Sequence, residues 1–404
     1  MKYVVVLGDG MADYPVAELN NKTPLEVANK PNIDSLAEKG EVGLVKTVPD
    51  HLNPPGSDIA NMSVMGYDPD VFYTGRSPLE AVSMGLTLGE EDLAVRCNLV
   101  TLSDEPAYED KTMIDYSSDE ITTKESTELI NFVQEHLGTD ILHLYPGISY
   151  RHCLVYKIPG EVKLLCTPPH DISDKPIKDY LPKAPESAIL LDMMKKSHEL
   201  LKDHPVNKAR IAAGKRPANS LWFWGEGRKP ALANFKETYG VKGAVVSAVD
   251  LIKGLGLCAD MEVIEVPDVT GNINTNFTGK MQATIDFLKN GGDFVYLHME
   301  APDECGHRHE IDNKVKSIEI IDKDVVGPIC EALGKMGDYK LLILPDHPTP
   351  LALRTHTHDA VPYLIYDSRK DSGNKGKRYT EEDGKNSGIY RPVGHELMRY
   401  FLEK

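Results

Sequence analysis

Residues 3–7, Tyr-Val-Val-Val-Leu, form an unbroken apolar run rich in β-branched side chains, and the run ends in Gly8-Asp9. A strand with one wet face alternates apolar and polar residues. A run without alternation belongs to a strand covered on both faces, the pattern of a parallel sheet between helix layers. Strand-like stretches recur at 261–266, 293–299, 339–344 and 361–366. Helical patterns separate them. Thr23-Pro24 offers a capping hydroxyl followed by proline at the first helical position. Ile33, Leu36 and Ala37 share one face of 31–39, and Gly40 closes that turn. Asp312 is placed to cap a helix bearing Val315, Ile318, Ile321, Val325, Ile329 and Leu333, and 392–402 reads as a terminal amphipathic helix. The predicted fold class is α/β, a mainly parallel sheet with helices on both faces.

A chain of 404 residues is long for one hydrophobic core. The stretch 86–240 differs in texture, with more prolines and turn clusters such as Thr167-Pro168-Pro169-His170. It reads as an inserted, smaller α+β domain, which leaves 1–85 and 241–404 to form the core. Residues 369–387, rich in Lys, Gly, Asp and Asn, read as a mobile surface loop. Hydrophobic residues at 41% and charged residues at 26% are those of a globular protein. No apolar run is long enough to span a bilayer, and the start is too short for a signal segment, so a cytoplasmic location is expected. None of the six cysteines forms a Cys-x-x-Cys pair, which points to reduced thiols and no zinc ribbon. A net charge of -17 argues against nucleic-acid or anionic-membrane partners. An anionic substrate would then require positive charge concentrated locally, by metals or clustered arginines. Nothing in the sequence sets the oligomeric state.

Ligands of open parallel sheets gather beyond the carboxyl ends of the strands. Metal-ligand side chains sit at such places here: Asp9 after the first run, Asp303 and His307 after the run ending near Met299, Asp346-His347 after 339–344, and His356 ahead of 361. Four-residue spacing puts Asp303 and His307 on one face if that turn is helical. Carboxylates and imidazoles together suit Mn²⁺, Zn²⁺ or a similar ion. Any one of these residues alone is ordinarily a cap or a solvated loop residue; their common position carries the inference. Asn53-Pro54-Pro55-Gly56-Ser57-Asp58 would set Ser57 at a helix N-terminus, which suits phosphate, although Ser57 could equally be the helix cap. A serine hydroxyl needs a base or a metal to become nucleophilic.

At these residues the chain resembles the archaeal-type cofactor-independent phosphoglycerate mutases of the alkaline phosphatase superfamily. The matching pieces are Val5-Val6-Leu7-Gly8-Asp9-Gly10-Met11, Pro55-Gly56-Ser57-Asp58, Met65-Gly66-Tyr67-Asp68-Pro69, Tyr73-Thr74-Gly75-Arg76, Tyr145-Pro146-Gly147 with Tyr150-Arg151-His152, Glu300-Ala301-Pro302-Asp303-Glu304 with Gly306-His307, and Pro345-Asp346-His347. The resemblance implies an alkaline-phosphatase-like core interrupted by a substrate-binding insertion. It implies one metal on Asp303, His307 and His356, and another on Asp9, Asp346, His347 and the Ser57 oxygen. His356 is preferred to His358 because the family places this ligand just before a Val-Pro entering a strand, here Val361-Pro362. Mn, Zn, Mg and Co are all compatible with these ligands. The implied reaction passes a phosphoryl group through Ser57 and interconverts 3- and 2-phosphoglycerate without 2,3-bisphosphoglycerate. The insertion should grip a small phosphorylated substrate, with Arg151, Arg216, Arg228, His152 and His170 as candidates.

Two places depart from the family pattern. Asn61 stands where many such mutases carry histidine, and Gly43-Leu44-Val45-Lys46-Thr47-Val48-Pro49 is closer to a subgroup proposed to phosphorylate homoserine. The sequence holds no Walker-type nucleotide loop. A phosphotransferase to homoserine, a phosphatase or related hydrolase, and a non-catalytic metal-binding protein stand as alternatives.

Overall fold

The computed structural model describes residues 1–371, 373 and 376–403. The chain forms two compact units, Met1–Tyr73 with Ala231–Lys404, and Thr74–Pro230. Both edges of the second unit fall earlier in the chain than the texture change suggests.

The first unit is built on an eight-stranded sheet in the order Tyr390–Arg391, Glu41–Val45, Val361–Asp367, Tyr339–Leu344, Lys2–Gly8, Phe294–Met299, Gly243–Val246, Glu262–Val263. Lys2–Gly8 lies at its centre, with Val4 opposite Val295 on one side and Leu341 on the other, both pairings parallel. The unbroken apolar runs are buried because helices cover the sheet: Val4, Val6, Val295, Leu297, Leu341 and Ile343 pack with Ile33, Leu36, Ile318, Ile329 and Leu333 in one core. One strand departs from the parallel pattern. Val361–Asp367 runs antiparallel to both Tyr339–Leu344 and Glu41–Val45. A reversed strand begins where its neighbours end, so the segment leading into Val361 lies at the same sheet edge as Asp9 and Asp346.

Local details follow the sequence in most places. Thr23 and Glu26 form a reciprocal capping box ahead of Pro24–Val27. The long amphipathic segment starts at Ile311 with Glu310 before it, so Asp312 lies in the first turn and is not the cap. Its apolar face is buried as expected, but Ile321–Val326 widens into a π-type turn. Within it Asp322 accepts the backbone N–H of Ile33 at 2.7 Å. The strand expected at 261–266 shortens to Glu262–Val263, and the terminal helix to Glu396–Leu402. The expected loop at 369–387 is partly ordered structure: Tyr379 is fully buried, Arg378 pairs with Asp34 at 3.0 Å, and Thr380 caps the helix Glu381–Asn386. Ser372, Asn374 and Lys375 of that stretch lie outside the described residues.

The second unit is an antiparallel sheet. Its long strand Asp92–Leu102 pairs with Ser220–Arg228, Arg151–Lys157 and Met113–Asp115, and Leu142–Tyr145 adds to Arg151–Lys157. Leu129, Ile130 and Val133 of the helix Thr123–Leu137, and Leu190 and Met194 of Ala188–Leu201, pack with Val95, Cys97, Leu99 and Trp222 of that sheet. None of the six cysteines forms a disulfide. Among the described residues no helix is long and apolar enough to cross a membrane.

Candidate active site

The sheet edge collects the chemistry. Asp9 follows Lys2–Gly8 directly. Asp303 and His307 are carried by the helix Ala301–Arg308, which starts one residue after Phe294–Met299. Asp346-His347 follow Tyr339–Leu344, and His356 sits in the segment entering the antiparallel strand. Gly10, at φ +61°, lets the chain turn against this group. A Cβ there would lie 2.8 Å from the Asp303 Cα and 2.5 Å from Thr349 Oγ1, so the close approach requires glycine.

Asp303, His307 and His356 meet. His307 Nε2 is 3.2 Å from Asp303 Oδ2, and His356 Nε2 is 3.3 Å from Asp303 Oδ1. The two Nε2 atoms are 2.9 Å apart. Each ring is fixed by its other nitrogen: His307 Nδ1 donates to the Arg354 carbonyl at 2.9 Å, and His356 Nδ1 to that of Pro55 at 2.8 Å. With Nδ1 bonded to a carbonyl, each ring turns its Nε2 toward the Asp303 carboxylate and toward the other ring, where either a proton or a cation can be shared. Imidazoles anchored through the other nitrogen in this way are the usual support of metal ligands. His358 turns elsewhere, its Nε2 lying 2.9 Å from the Leu52 carbonyl.

The second group surrounds His347. Its Nε2 lies 3.0 Å from Ser57 Oγ, 3.3 Å from Asp346 Oδ2 and 3.7 Å from Asp9 Oδ1. The His347 and His356 rings stack at 3.7 Å, so the two groups adjoin. Asp346 is fully buried and accepts the N–H groups of Gly10 and His347. Ser57 is the first residue of the helix Ser57–Val64, but Gly56 holds the cap position and makes no side-chain cap bond. The Ser57 hydroxyl is therefore not spent on capping and faces His347.

The electrostatics show what the group needs. Burial, then the carboxylates of Asp346 and Asp303, push the Asp9 carboxyl well above its ordinary range. Burial opposes ionisation of Asp303 too, but hydrogen bonds from His307 and His356 hold it well below. The bond to Asp303 raises His307 to about 9 against burial. His347 is lowered, chiefly by burial. Buried carboxylates beside imidazoles are a donor set that suits a divalent metal, and among the described residues Asp9 Oδ1 has no hydrogen-bond partner.

Three supporting residues escaped the sequence reading. His298, inside the strand Phe294–Met299, has Nε2 3.1 Å from Asp9 Oδ2. Against burial, Asp9 and Glu300 raise it to about 10. Thr349 donates its hydroxyl to Asp303 Oδ1. Asn61, noted only as a departure, donates to Asp346 Oδ2 at 2.7 Å and to the Ser57 carbonyl at 2.8 Å, and accepts from Tyr296 OH at 2.7 Å. A lone histidine in an otherwise apolar strand was the available signal for the first of these.

The second unit sorts the candidate anion-binding residues. Arg216 is tied to Asp115 at 3.1 Å and lies 3.7 Å from Asp119, and Arg228 donates to the carbonyls of Glu90, Ile158 and Gly160. Both are engaged within their own unit. His152 is buried, accepts the Gly147 N–H at 3.0 Å and is lowered to about 3 by burial, so it is neutral. His170 is exposed and sits edge-on to Trp224, ring centroids 5.1 Å apart. Arg151 is exposed, lies over the Tyr150 ring at 5.3 Å and has no ion-pair partner among the described residues. Arg96, which sequence reasoning passed over inside a strand, stacks on Trp224 at 4.2 Å and pairs with Glu80 at 3.0 Å. Burial, and then the charges of Arg76 and Arg151, lower its pKa against the pull of Glu80, which also pairs with Arg76 at 2.7 Å.

A serine facing a buried carboxylate–imidazole cluster, at the carboxyl edge of a mainly parallel α/β sheet, defines a metal-dependent enzyme of phosphoryl transfer. The comparisons make the class specific. A profile of the 2,3-bisphosphoglycerate-independent phosphoglycerate mutases matches residues 37–207. The 2,3-bisphosphoglycerate-independent phosphoglycerate mutase of Methanothrix thermoacetophila is 49% identical over 366 residues, covering 90% of each chain. A solved structure of a Pyrococcus horikoshii protein superposes with a TM-score of 0.82 at 31% identity, covering 100% of this chain and 98% of its own. The cofactor-independent phosphoglycerate mutase of Thermoplasma acidophilum gives 0.69 at 26% identity, covering 100% and 99%. The chain belongs to the 2,3-bisphosphoglycerate-independent phosphoglycerate mutase family.

Proposed function

We propose that the protein interconverts 3-phosphoglycerate and 2-phosphoglycerate through a phosphoserine on Ser57, as a glycolytic enzyme of the cytoplasm. The observation that carries this reading is the Ser57 hydroxyl, free of capping and 3.0 Å from His347 Nε2 in the buried cluster. In it, Asp303, His307 and His356 hold one divalent ion, and Asp9, Asp346, His347 and the Ser57 oxygen hold a second; oxygen and imidazole donors suit Mn²⁺, Zn²⁺, Mg²⁺ or Co²⁺. When bound, these ions lower the pKa of the serine hydroxyl and neutralise charge on the transferring phosphoryl group. Ser57 Oγ forms a bond to phosphorus as the bond from phosphorus to the substrate oxygen breaks, and that oxygen takes a proton. The resulting glycerate turns, and its other hydroxyl attacks the phosphoserine, releasing Ser57 and completing the isomerisation. Asn61 keeps the start of the helix in place by holding the Ser57 carbonyl.

In this proposal the unit Thr74–Pro230 is the substrate-binding domain. Arg151, exposed and without an ion-pair partner among the described residues, supplies the positive charge that an anionic substrate needs in a chain of net charge -17. The test is an assay with 3-phosphoglycerate and Mn²⁺ coupled to enolase, run beside homoserine with candidate phosphate donors. Isomerisation is expected. Homoserine phosphorylation without isomerisation, or release of inorganic phosphate faster than isomer formation, would overturn the proposal.

A further inference from the structure

Among the described residues, three buried side-chain polar atoms lack a hydrogen-bond partner, and two of them face each other's residues: Asp9 Oδ1 and His298 Nε2. His298 is fully buried and stands between two carboxylates. Its Nδ1 is 3.1 Å from Glu300 Oε1, and its Nε2 is 3.1 Å from Asp9 Oδ2, close enough for an ion pair but off the line of a hydrogen bond. Each of these contacts keeps a buried polar atom from being left alone, so the ring is held by a carboxylate on either side, with Ser247 Oγ also 3.1 Å from its Nδ1. Glu300 is fixed in turn. Its Oε2 accepts from the buried Lys280 ammonium, and its Oε1 accepts from Ser247 Oγ at 3.1 Å and the Ala248 N–H at 2.8 Å. Lys280 also donates to the His298 carbonyl at 3.0 Å. The four side chains form one buried line, from Lys280 through Glu300 and His298 to Asp9.

We propose that Lys280, Glu300 and His298 act as a positioning relay that makes Asp9 a one-oxygen metal ligand: His298 occupies Oδ2, which leaves Oδ1 alone to face the cation beside His347 and Ser57. The inference rests on the reading that Asp9 holds a metal. It explains why Oδ1, 3.7 Å from His347 Nε2, is unpartnered while Oδ2 is engaged. It also gives work to a buried Lys–Glu pair that the chemistry otherwise does not use. An ion pair taken out of water is seldom worth more than the apolar residues it replaces, so its presence beside the site calls for a role in geometry.

Metal-free full-length protein is titrated calorimetrically with Mn²⁺, with circular dichroism to verify folding, for the wild type, Asp9→Asn, His298→Asn and Glu300→Gln. The wild type is expected to show two binding events, and Asp9→Asn to lose one. His298→Asn and Glu300→Gln should weaken that same event by about 10- to 100-fold, the usual effect of removing a ligand's outer partner, and leave the other event unchanged. A merely structural role would not select one ion over the other. Glu300→Gln keeps the shape of the side chain, so it tests the relay even if His298→Asn fails to fold. Folded variants that keep both affinities, or lose both equally, overturn the proposal. If Asp9→Asn itself keeps both events, the metal assignment of Asp9 has failed, which is a different result.

Discussion

Asn61 offers a sharp test of how the serine is held, because its three hydrogen bonds are buried and their partners are known. The side chain is fully buried and bonds the Asp346 carboxylate, the Ser57 carbonyl and the Tyr296 hydroxyl. A neutral bond of this kind contributes about 1 kcal/mol and one to a charged group about 1.5–3 kcal/mol, so Asn61→Ala should remove about 4 kcal/mol. Alanine is the better helix former by roughly 0.5 kcal/mol, which trims the loss to between about 3 and 4.5 kcal/mol. That is a large part of the 5–15 kcal/mol that ordinarily holds a domain together. Tyr296→Phe breaks one neutral bond and should cost about 1 kcal/mol. Because the two residues share that bond, their double variant should fall short of additivity by a similar amount, about 1 kcal/mol. Asn61→Asp should be worse than alanine, since it sets a second carboxylate where Asp346 Oδ2 now accepts a donor at 2.7 Å. The assay is urea unfolding of metal-free protein followed by far-ultraviolet circular dichroism. Tryptophan fluorescence would report the wrong unit, because the two tryptophans of the chain, Trp222 and Trp224, lie in Thr74–Pro230. A loss below about 1 kcal/mol for Asn61→Ala, against the sum built from these bonds, or strict additivity with Tyr296→Phe, would refute the reasoning.

Ser57→Ala should abolish phosphoenzyme labelling and lower isomerisation by on the order of 10⁴-fold or more, with an unchanged melting temperature because Gly56 holds the cap position. Gly10→Ala should destabilise the protein by roughly 1–3 kcal/mol and weaken Mn²⁺ binding, because φ there is +61° and the new Cβ meets Asp303; melting and metal titration together check it. His307 is raised to about 9 when folded without metal, from an ordinary value near 6.5, so the stability it adds is full below about 6.5 and is lost as pH climbs through about 9. Metal-free melting temperature should therefore fall across that range while Mn²⁺ affinity rises, since the proton must leave before the metal binds; a melting temperature that rises with pH contradicts it. Arg151→Ala should raise KM for phosphoglycerate at least tenfold, about 1.4 kcal/mol of lost binding, whereas Arg216→Ala, which breaks a half-exposed ion pair, should leave KM alone.

Three of the candidate ligands were legible because each one lies where an apolar run stops. Asp9, Asp303 and Asp346 stand where a buried strand gives way to polar chain, and parallel strands bring all such places to one edge. His356 fitted that rule for a reason the periodicity did not contain. It precedes a strand, and had Val361–Asp367 been parallel it would lie at the far edge; the antiparallel pairing with Tyr339–Leu344 returns it to the cluster. Pairing direction depends on partners distant in sequence, and a run of apolar residues is the same read either way. The arginines show a second limit. Arg151, Arg216 and Arg228 look equivalent as residues, and only the acids and carbonyls that fold beside Arg216 and Arg228 set them apart. His298 and Asn61 show a third. They stand one step behind the candidate ligands, inside a strand and a helix, where a polar residue is bonded to something the local pattern cannot name. A buried polar group must find a partner or the fold loses stability, so an isolated histidine in Phe294–Met299 is by itself a sign of a partner. Applied to this chain, that rule leads from the orphaned oxygen of Asp9 through His298 and Glu300 to Lys280, and makes the outer support of the site as open to mutation as the ligands.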